Sequence, residues 1–322
     1  MNIIVFDLEW NQSDSNSKQE RPAGQPVFEI IEIGAVKLNE KREMLGKFSQ
    51  LIKPQIYHTM HKITAGLVQI EMADLKQGKT FPEVFEEFIK WCGEDYIFAT
   101  WGPLDLLELQ RNMKYYHLEP LSEGPIKFYD VQKMFSIDVL KEKERKTLEF
   151  AIDHFQIEKD IPFHRAFSDA YYTAKVLEKL ENPDILQFIS FDTYHLPQDR
   201  KQEVKMIFPN YAKHISREFE HKQDIMEDKE ISSTKCHLCH KNLKKKIKWH
   251  TLNGKHYYSV SFCDVHGYIK HKVRIRKSEN EKYYAVKTSK FISKEKMEKL
   301  NQMWLQEKEA KKKKKNMLPN QK

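Results

Sequence analysis

Ile3-Ile4-Val5-Phe6-Asp7-Leu8-Glu9-Trp10 is a β-branched apolar run that closes on two carboxylates spaced two apart. Such a run reads as a strand, and alternate side chains of a strand point to opposite faces. Asp7 and Glu9 therefore share a face. Two carboxylates on one face repel each other unless a cation lies between them. Hard divalent ions such as Mg²⁺ or Mn²⁺ prefer oxygen ligands of this kind. A solvated acidic edge strand would carry the same letters, so the assignment has to come from residues elsewhere in the chain.

Outward from this strand, the polar, Pro-containing stretch 13–26 reads as a loop. Residues 27–38, with Gly34 inside them, and 47–53 read as two further strands, and the short connections predict antiparallel neighbours. Phe81, Val84, Phe85, Phe88, Ile89 and Cys92 recur at helical spacing. Residues 96–100 form a short apolar strand, and helices follow at 104–116, 148–155 and 166–180. Strands followed by alternating helix and strand predict an α/β fold, a mixed sheet with helices on its faces.

Two later segments add donors to the first. In Phe98-Ala99-Thr100-Trp101-Gly102-Pro103-Leu104-Asp105 a strand turns at Gly-Pro and places an acid at or near a helix start. Asp105 either caps that helix or reaches the acidic pair. In Phe163-His164-Arg165-Ala166-Phe167-Ser168-Asp169, Pro162 stops the preceding segment. His164 then lies on the loop entering a helix, and Asp169 on its first turns. Histidine titrates near neutrality and suits the activation of water.

The order D-x-E, then an acidic segment after Trp-Gly, then H-x-A-x-x-D resembles the DEDD-type 3′–5′ exonucleases of the histidine subclass. Thr100-Trp101-Gly102 and Asp130-Val131-Gln132 are similar to the branch of histone-mRNA and small-RNA exonucleases and a sporulation-inhibitor homologue. The resemblance covers residues 1–182 and implies a ribonuclease-H-like mixed sheet flanked by helices. It implies that Asp7, Glu9, Asp105 and Asp169 hold two Mg²⁺ or Mn²⁺ ions, about 3.5–4 Å apart in such sites. It makes His164 the general base, with Asp7 contacting both ions, Glu9 and Asp169 the nucleophile-side ion, and Asp105 the leaving-group ion. Asp130 reads as structural. His61 and Trp101 are expected at the terminal nucleotide. The sequence departs from many family members at Trp10-Asn11-Gln12, where small residues usually follow the Glu. Trp10 either stacks on a base or fills the core beside the face of Leu8.

The second chemical motif is Cys236-x-x-Cys239 followed by Cys263-x-x-His266. Two close pairs separated by a β-rich stretch read as one closed structural Zn²⁺ site, with Asn253-Gly254 turning a hairpin between them. His237, His240 and His250 are substitute ligands. Only four cysteines occur in 322 residues, which points to a metal site in a reducing compartment rather than a disulfide framework. No basic segment followed by an apolar run opens the chain, and no stretch reaches membrane-spanning length. A cytoplasmic protein without membrane contact is expected.

The net charge of +8 conceals a division. Residues 231–322 carry 25 Lys and Arg against 7 Asp and Glu, while residues 1–230 carry 30 basic and 40 acidic groups. The basic part is interleaved with aromatics such as Trp249, Tyr258 and Phe262, a composition suited to nucleic acid. The Lys311–Lys315 run by itself would serve equally as a solubilising tail. Four segments are expected: an exonuclease domain at 1–182, a polar, partly helical connector at 183–230, a zinc-ribbon-like domain at 231–290, and a helix with a Lys-rich tail at 291–322. The expected activity is metal-dependent 3′–5′ hydrolysis of single-stranded nucleic acid, RNA preferred through the family branch. A DNA exonuclease in repair, or a non-catalytic scaffold of the same fold, are the alternatives.

Overall fold

Strand β1 (Asn2–Gln12) sorts its side chains into two layers. Ile4, Phe6 and Leu8 enter one core with Ile33, Phe88, Phe98 and Leu109. Ile3 and Val5 enter the other, with Val36, Ala99, Tyr172 and Val176. The alternation continues past Val5, so Asp7 and Glu9 emerge on the second face. This computed structural model describes residues 1–13, 24–68, 70–141, 144–251 and 253–317. Most of the loop expected at 13–26 lies outside the described residues.

β1 pairs antiparallel with β2 (Phe28–Leu38), which pairs antiparallel with β3 (Met44–Leu51). Two short helices, α1 (Lys62–Leu67) and α2 (Met72–Leu75), precede α3 (Phe81–Cys92). The capping box of Thr80 and Glu83 starts α3, and Gly93 ends it at φ 85°. β4 (Tyr96–Thr100) lies parallel to β1 and leads into α4 (Leu104–Tyr115). β5 (Ile126–Asp130) runs parallel to β4, and α5 (Val131–Asp138), α6 (Leu148–His154) and α7 (Ala166–Lys179) follow. β6 (Ser190–Asp192) closes a sheet of order β3-β2-β1-β4-β5-β6. The expected mixed α/β sheet is therefore present, with α3 and α4 residues in one core and α5, α6 and α7 residues in the other. Asp130 is structural here: it caps α5 through the Lys133 N–H, and both its oxygens bind the Arg145 guanidinium at 2.6 and 3.1 Å.

The chain divides into two compact units, residues 1–195 and 196–322. That division changes the reading of 183–230 as a partly helical connector. Its first part carries β6 of the first sheet. Its remainder supplies β7 (Val204–Ile207), β8 (Tyr211–Ile215) and the single-turn α8 (Asp224–Glu227) to the second unit. Strands of four and five residues are too short to impose a visible period on a polar sequence. β9 (Lys244–Thr251), β10 (His256–Cys263), β11 (Gly267–Lys277) and β12 (Tyr283–Ile292) form an antiparallel meander, with β8 and β7 added beside β12. The β9–β10 hairpin turns at Asn253-Gly254 as expected. Asn253 Oδ1 accepts from the Lys255 and His256 N–H groups, and Gly254 adopts φ 61°. α9 (Lys294–Met317) follows β12. Among the described residues no helix is long and apolar enough to cross a membrane.

Candidate active site

Asp7 and Glu9 stand on β1 directly opposite Gly34 and Glu32 of β2. A bulge follows, since Trp10 pairs with Ile30 and leaves Ile31 extra on β2. Across the sheet face lies α7, and its closeness is set by Gly34. A Cβ at that position would lie 1.9 Å from the backbone N of Phe167 and 2.1 Å from the carbonyl carbon of Ala166. Only a residue without a side chain allows the helix to seat there. Seated, α7 brings Asp169 to the acidic pair, and carboxylate oxygens of Asp7, Glu9 and Asp169 all come within 4.8 Å of one another.

Asp105 approaches from another direction. The N-cap of α4 is Pro103, so Asp105 does not cap its helix. Its carboxyl is buried instead, close to its own N–H and to the Leu8 N–H of β1. Burial, together with the charges of Asp105, Asp169, Glu9 and Glu32, holds the Asp7 carboxyl well above the usual carboxylate range. Burial and the Asp169 and Glu32 charges push Glu9 up to about 8. Burial raises Asp105 to about 7, opposed by these two nearby N–H groups. Burial also raises Asp169 to about 6, opposed by the nearby His164.

Glu32 was not singled out from sequence, and neither was its partner. The Glu32 carboxylate, 1% exposed, accepts from Arg165 Nη2 at 2.8 Å, from Arg165 Nε at 3.0 Å and from the Ala166 N–H at 3.2 Å. This pair pins the entry to α7. It also offsets the like charges of Glu9 and Glu32, which face each other across the ladder. The only sequence signal was a carboxylate alone in an apolar run, Ile30-Ile31-Glu32-Ile33.

His164 occupies the loop at that entry, exposed, in the left-handed region at φ 61°. A non-glycine residue held there marks a backbone fixed by its surroundings. Its main-chain N–H lies close enough to the Asp169 carboxyl to oppose the effect of burial there. Trp10 is half-buried and packs on Phe28 with ring centroids 5.3 Å apart, against the core that holds Leu8. Asn11 is fully buried and donates to the Tyr57 and Thr59 carbonyls, while Gln12 meets His61 Nδ1 at 3.0 Å. His61 caps α1. Trp101 packs on Phe135, and its buried Nε1–H has no hydrogen-bond partner.

The carboxylates fit hard divalent cations. All their donor atoms are oxygens, they are crowded and desolvated, and Asp169 Oδ1 is buried without a hydrogen-bond partner. A pH dependence follows for the protein without added divalent ion. Carboxyls whose folded pKa is raised stabilise the fold fully below the unfolded values, about 4, and lose that contribution as pH rises through the folded values. The melting temperature is therefore expected to fall as pH rises from 5 through Asp169 and Asp105 to Glu9 at about 8. Mn²⁺ should raise it more at the alkaline end than at pH 5. Thermal unfolding across this range, with and without Mn²⁺, checks both statements, and a metal-independent flat profile would contradict them.

In the second unit, Cys236, Cys239, Cys263 and His266 converge, with donor atoms within 4.8 Å of one another. Cys236 Sγ lies 3.4 Å from His266 Nδ1, and Cys263 Sγ lies 3.6 Å from both Cys239 Sγ and His266 Nδ1. Tetrahedral Zn²⁺ with Zn–S near 2.3 Å separates its sulfurs by about 3.7 Å. Burial pushes the Cys263 thiol up, but the N–H groups of His266 and Val265 outweigh it and hold it at about 6. His237, His240 and His250 are not members of the cluster.

Residues 4–177 match the family model of the RNase T group, described as exonuclease. A search of curated proteins finds no significant match. Among solved structures, the nuclease domain of 3′hExo, a DEDDh family member bound to rAMP, is 19% identical, with 59% of this chain and 96% of that chain covered at a TM-score of 0.48. Cell-death related nuclease 4 is 17% identical, with 64% and 68% covered at 0.46. The S. pombe Pop2p structure with Mg²⁺ and Mn²⁺ is 18% identical, with 56% and 83% covered at 0.42.

Proposed function

The chain belongs to the RNase T exonuclease family, and on that premise we propose that it removes nucleotides one at a time from the 3′ end of single-stranded nucleic acid, with RNA preferred over DNA, at a site holding two Mg²⁺ or Mn²⁺ ions. The observation that carries this reading is the convergence of Asp7, Glu9 and Asp169 beside Asp105, four carboxyls whose raised pKa values mark a site short of positive charge. A scaffold that only bound nucleic acid would have no use for such repulsion.

Asp7, Glu9, Asp105 and Asp169 would hold the ions. When bound, such ions lower the pKa of a water and neutralise charge on the phosphoryl group under attack. Asp7 is central, fixed by the β1–β2 register. Glu32 and Arg165 keep the entry to α7 in place, so the Asp169 carboxylate and the His164 imidazole are set by one element. His164 takes the proton of the attacking water on a ring nitrogen, from an exposed position that substrate can reach. Trp10, His61 and Trp101 are our assignments for the terminal nucleotide, and the partnerless Trp101 Nε1–H supports a polar contact there. RNA preference rests on the family branch that the Thr100-Trp101-Gly102 segment resembles. Incubation of purified protein and Mn²⁺ with 3′-labelled and 5′-labelled single-stranded RNA and DNA tests the proposal. Label released first from the 3′ end, faster from RNA, is the expected result. No degradation of either polymer would overturn it.

We also propose that Cys236, Cys239, Cys263 and His266 hold one structural Zn²⁺ and that the basic C-terminal unit binds the nucleic acid. The sheet supports this with Lys270 and Lys272 over the Tyr258 ring and Lys246 over Phe262, cation and aromatic side chains on one surface. Cys263→Ser is expected to remove the zinc and to unfold the unit around it, because structural zinc supplies on the order of 10 kcal/mol to small domains. Metal analysis and proteolysis of the variant check this. Undiminished zinc with an intact C-terminal unit would exclude the site.

A further inference from the structure

Within the C-terminal unit an open cavity of about 440 Å³ lies beside the cysteine cluster, walled by β7, β8, β12 and the segment 229–240. Six cationic side chains line it (Arg200, Lys205, Lys213, Lys229, Lys235 and Lys287) against a single carboxylate, Glu230. Some of this charge has a structural task. Arg200 binds Asp228 at 2.6 Å, Lys205 pairs with Glu230, and Lys287 Nζ donates to the carbonyls of Glu230 and Ser233. Lys229 and Lys235 carry their charge on exposed side chains.

A second observation points to a ligand. His237 lines the cavity, is 7% exposed, and stacks on Phe291 with centroids 4.5 Å apart. Neither of its ring nitrogens has a hydrogen-bond partner. An imidazole always carries at least one N–H donor, and burying it unmet is unfavourable. His237 lies outside the four-residue metal cluster, so zinc does not satisfy it. Lysine and arginine offer donors only, so the complementary group is an anion rich in acceptor oxygens.

We propose that this cavity binds a phosphate group of single-stranded nucleic acid, with Lys229 and Lys235 supplying charge and His237 donating an N–H to a phosphate oxygen. The proposal rests on the reading of the C-terminal unit as nucleic-acid-binding and locates where that binding is centred. Lys229→Gln/Lys235→Gln in the full-length protein should weaken binding of a labelled single-stranded oligonucleotide, measured by anisotropy without added Mg²⁺ or Mn²⁺, by about tenfold at low salt. Each phosphate contact to a single strand contributes about 0.7 to the slope of log affinity against log salt, so the slope should fall by up to about 1.4. The same charge removal outside the cavity, Lys294→Gln/Lys296→Gln, should cost less. His237→Phe, which keeps the ring on Phe291, should weaken binding with zinc content unchanged.

Equal losses from the two lysine pairs would show a diffuse basic surface and overturn the pocket. Unchanged oligonucleotide affinity in the cavity variant would overturn it as well. If inorganic phosphate, followed by ³¹P NMR, binds the wild type and not that variant while the oligonucleotide is unaffected, the cavity serves small phosphate compounds and the nucleic-acid assignment fails. Cavity-dependent binding by a protein that degrades no substrate would leave this proposal standing and remove the exonuclease reading instead.

Discussion

Asp7→Ala is expected to lower nuclease turnover on the order of a thousand-fold or more, with the fold retained. Asp7 is the carboxylate on which the repulsion of Asp105, Asp169, Glu9 and Glu32 converges. On the proposed mechanism, removing it takes away the ligand shared by the rest of the site, while the neighbouring strand register, set by Ile3, Val5 and their partners, is untouched. The same substitution relieves buried like-charge repulsion. Without added divalent ion its melting temperature at pH 8 should therefore rise above that of the wild type, and the gap should close towards pH 5. Loss of activity through misfolding would give the opposite sign. Turnover within about tenfold of wild type, a barrier change of only about 1.4 kcal/mol, would remove Asp7 from the chemistry.

Gly34→Ala carries the second large effect. The new methyl would fall inside the backbone of Ala166 and Phe167, where no flexible side-chain tip can yield. Helix α7 must shift or the strand must buckle, and we expect a loss of roughly 3 kcal/mol or more in stability. Activity should fall further than stability explains, because α7 carries Asp169 and its entry carries His164. Gly66, within α1, meets nothing within 4 Å, so Gly66→Ala should be neutral or stabilising by up to about 1 kcal/mol. Equilibrium denaturation and Mn²⁺-dependent activity of both variants test the contrast. Equal behaviour of the two would mean that α7 does not need its close seat on β2.

Much of the site was legible because it depends on short-range regularities. The alternation of β1 puts Asp7 and Glu9 on one face whatever surrounds them, and the Gly-Pro turn and the stop at Pro162 place Asp105 and His164 at helix entries. The zinc-type cluster was legible for the same reason, since each of its close pairs spans a single turn. Glu32 was not. A carboxylate inside Ile30-Ile31-Glu32-Ile33 acquires a meaning only once the β1–β2 register sets it opposite Glu9 and α7 delivers Arg165 to it. Residues 204–215 were hidden in a similar way, because two short strands are held by pairing, β8 with β12 and β7 with β8, rather than by a pattern of their own. Trp10 had two readings from sequence, and its packing on Phe28 is a property of the bulge that follows Glu9.

The sequence by itself determined the candidate donors: which carboxylates, which histidine, which thiols, and the face of the first strand on which the acids stand. The tertiary structure decided that they meet. Asp7 and Asp169 are brought together by a helix that can approach β2 only over Gly34, and such an approach depends on the volume of a partner far away in the chain, which no local propensity encodes.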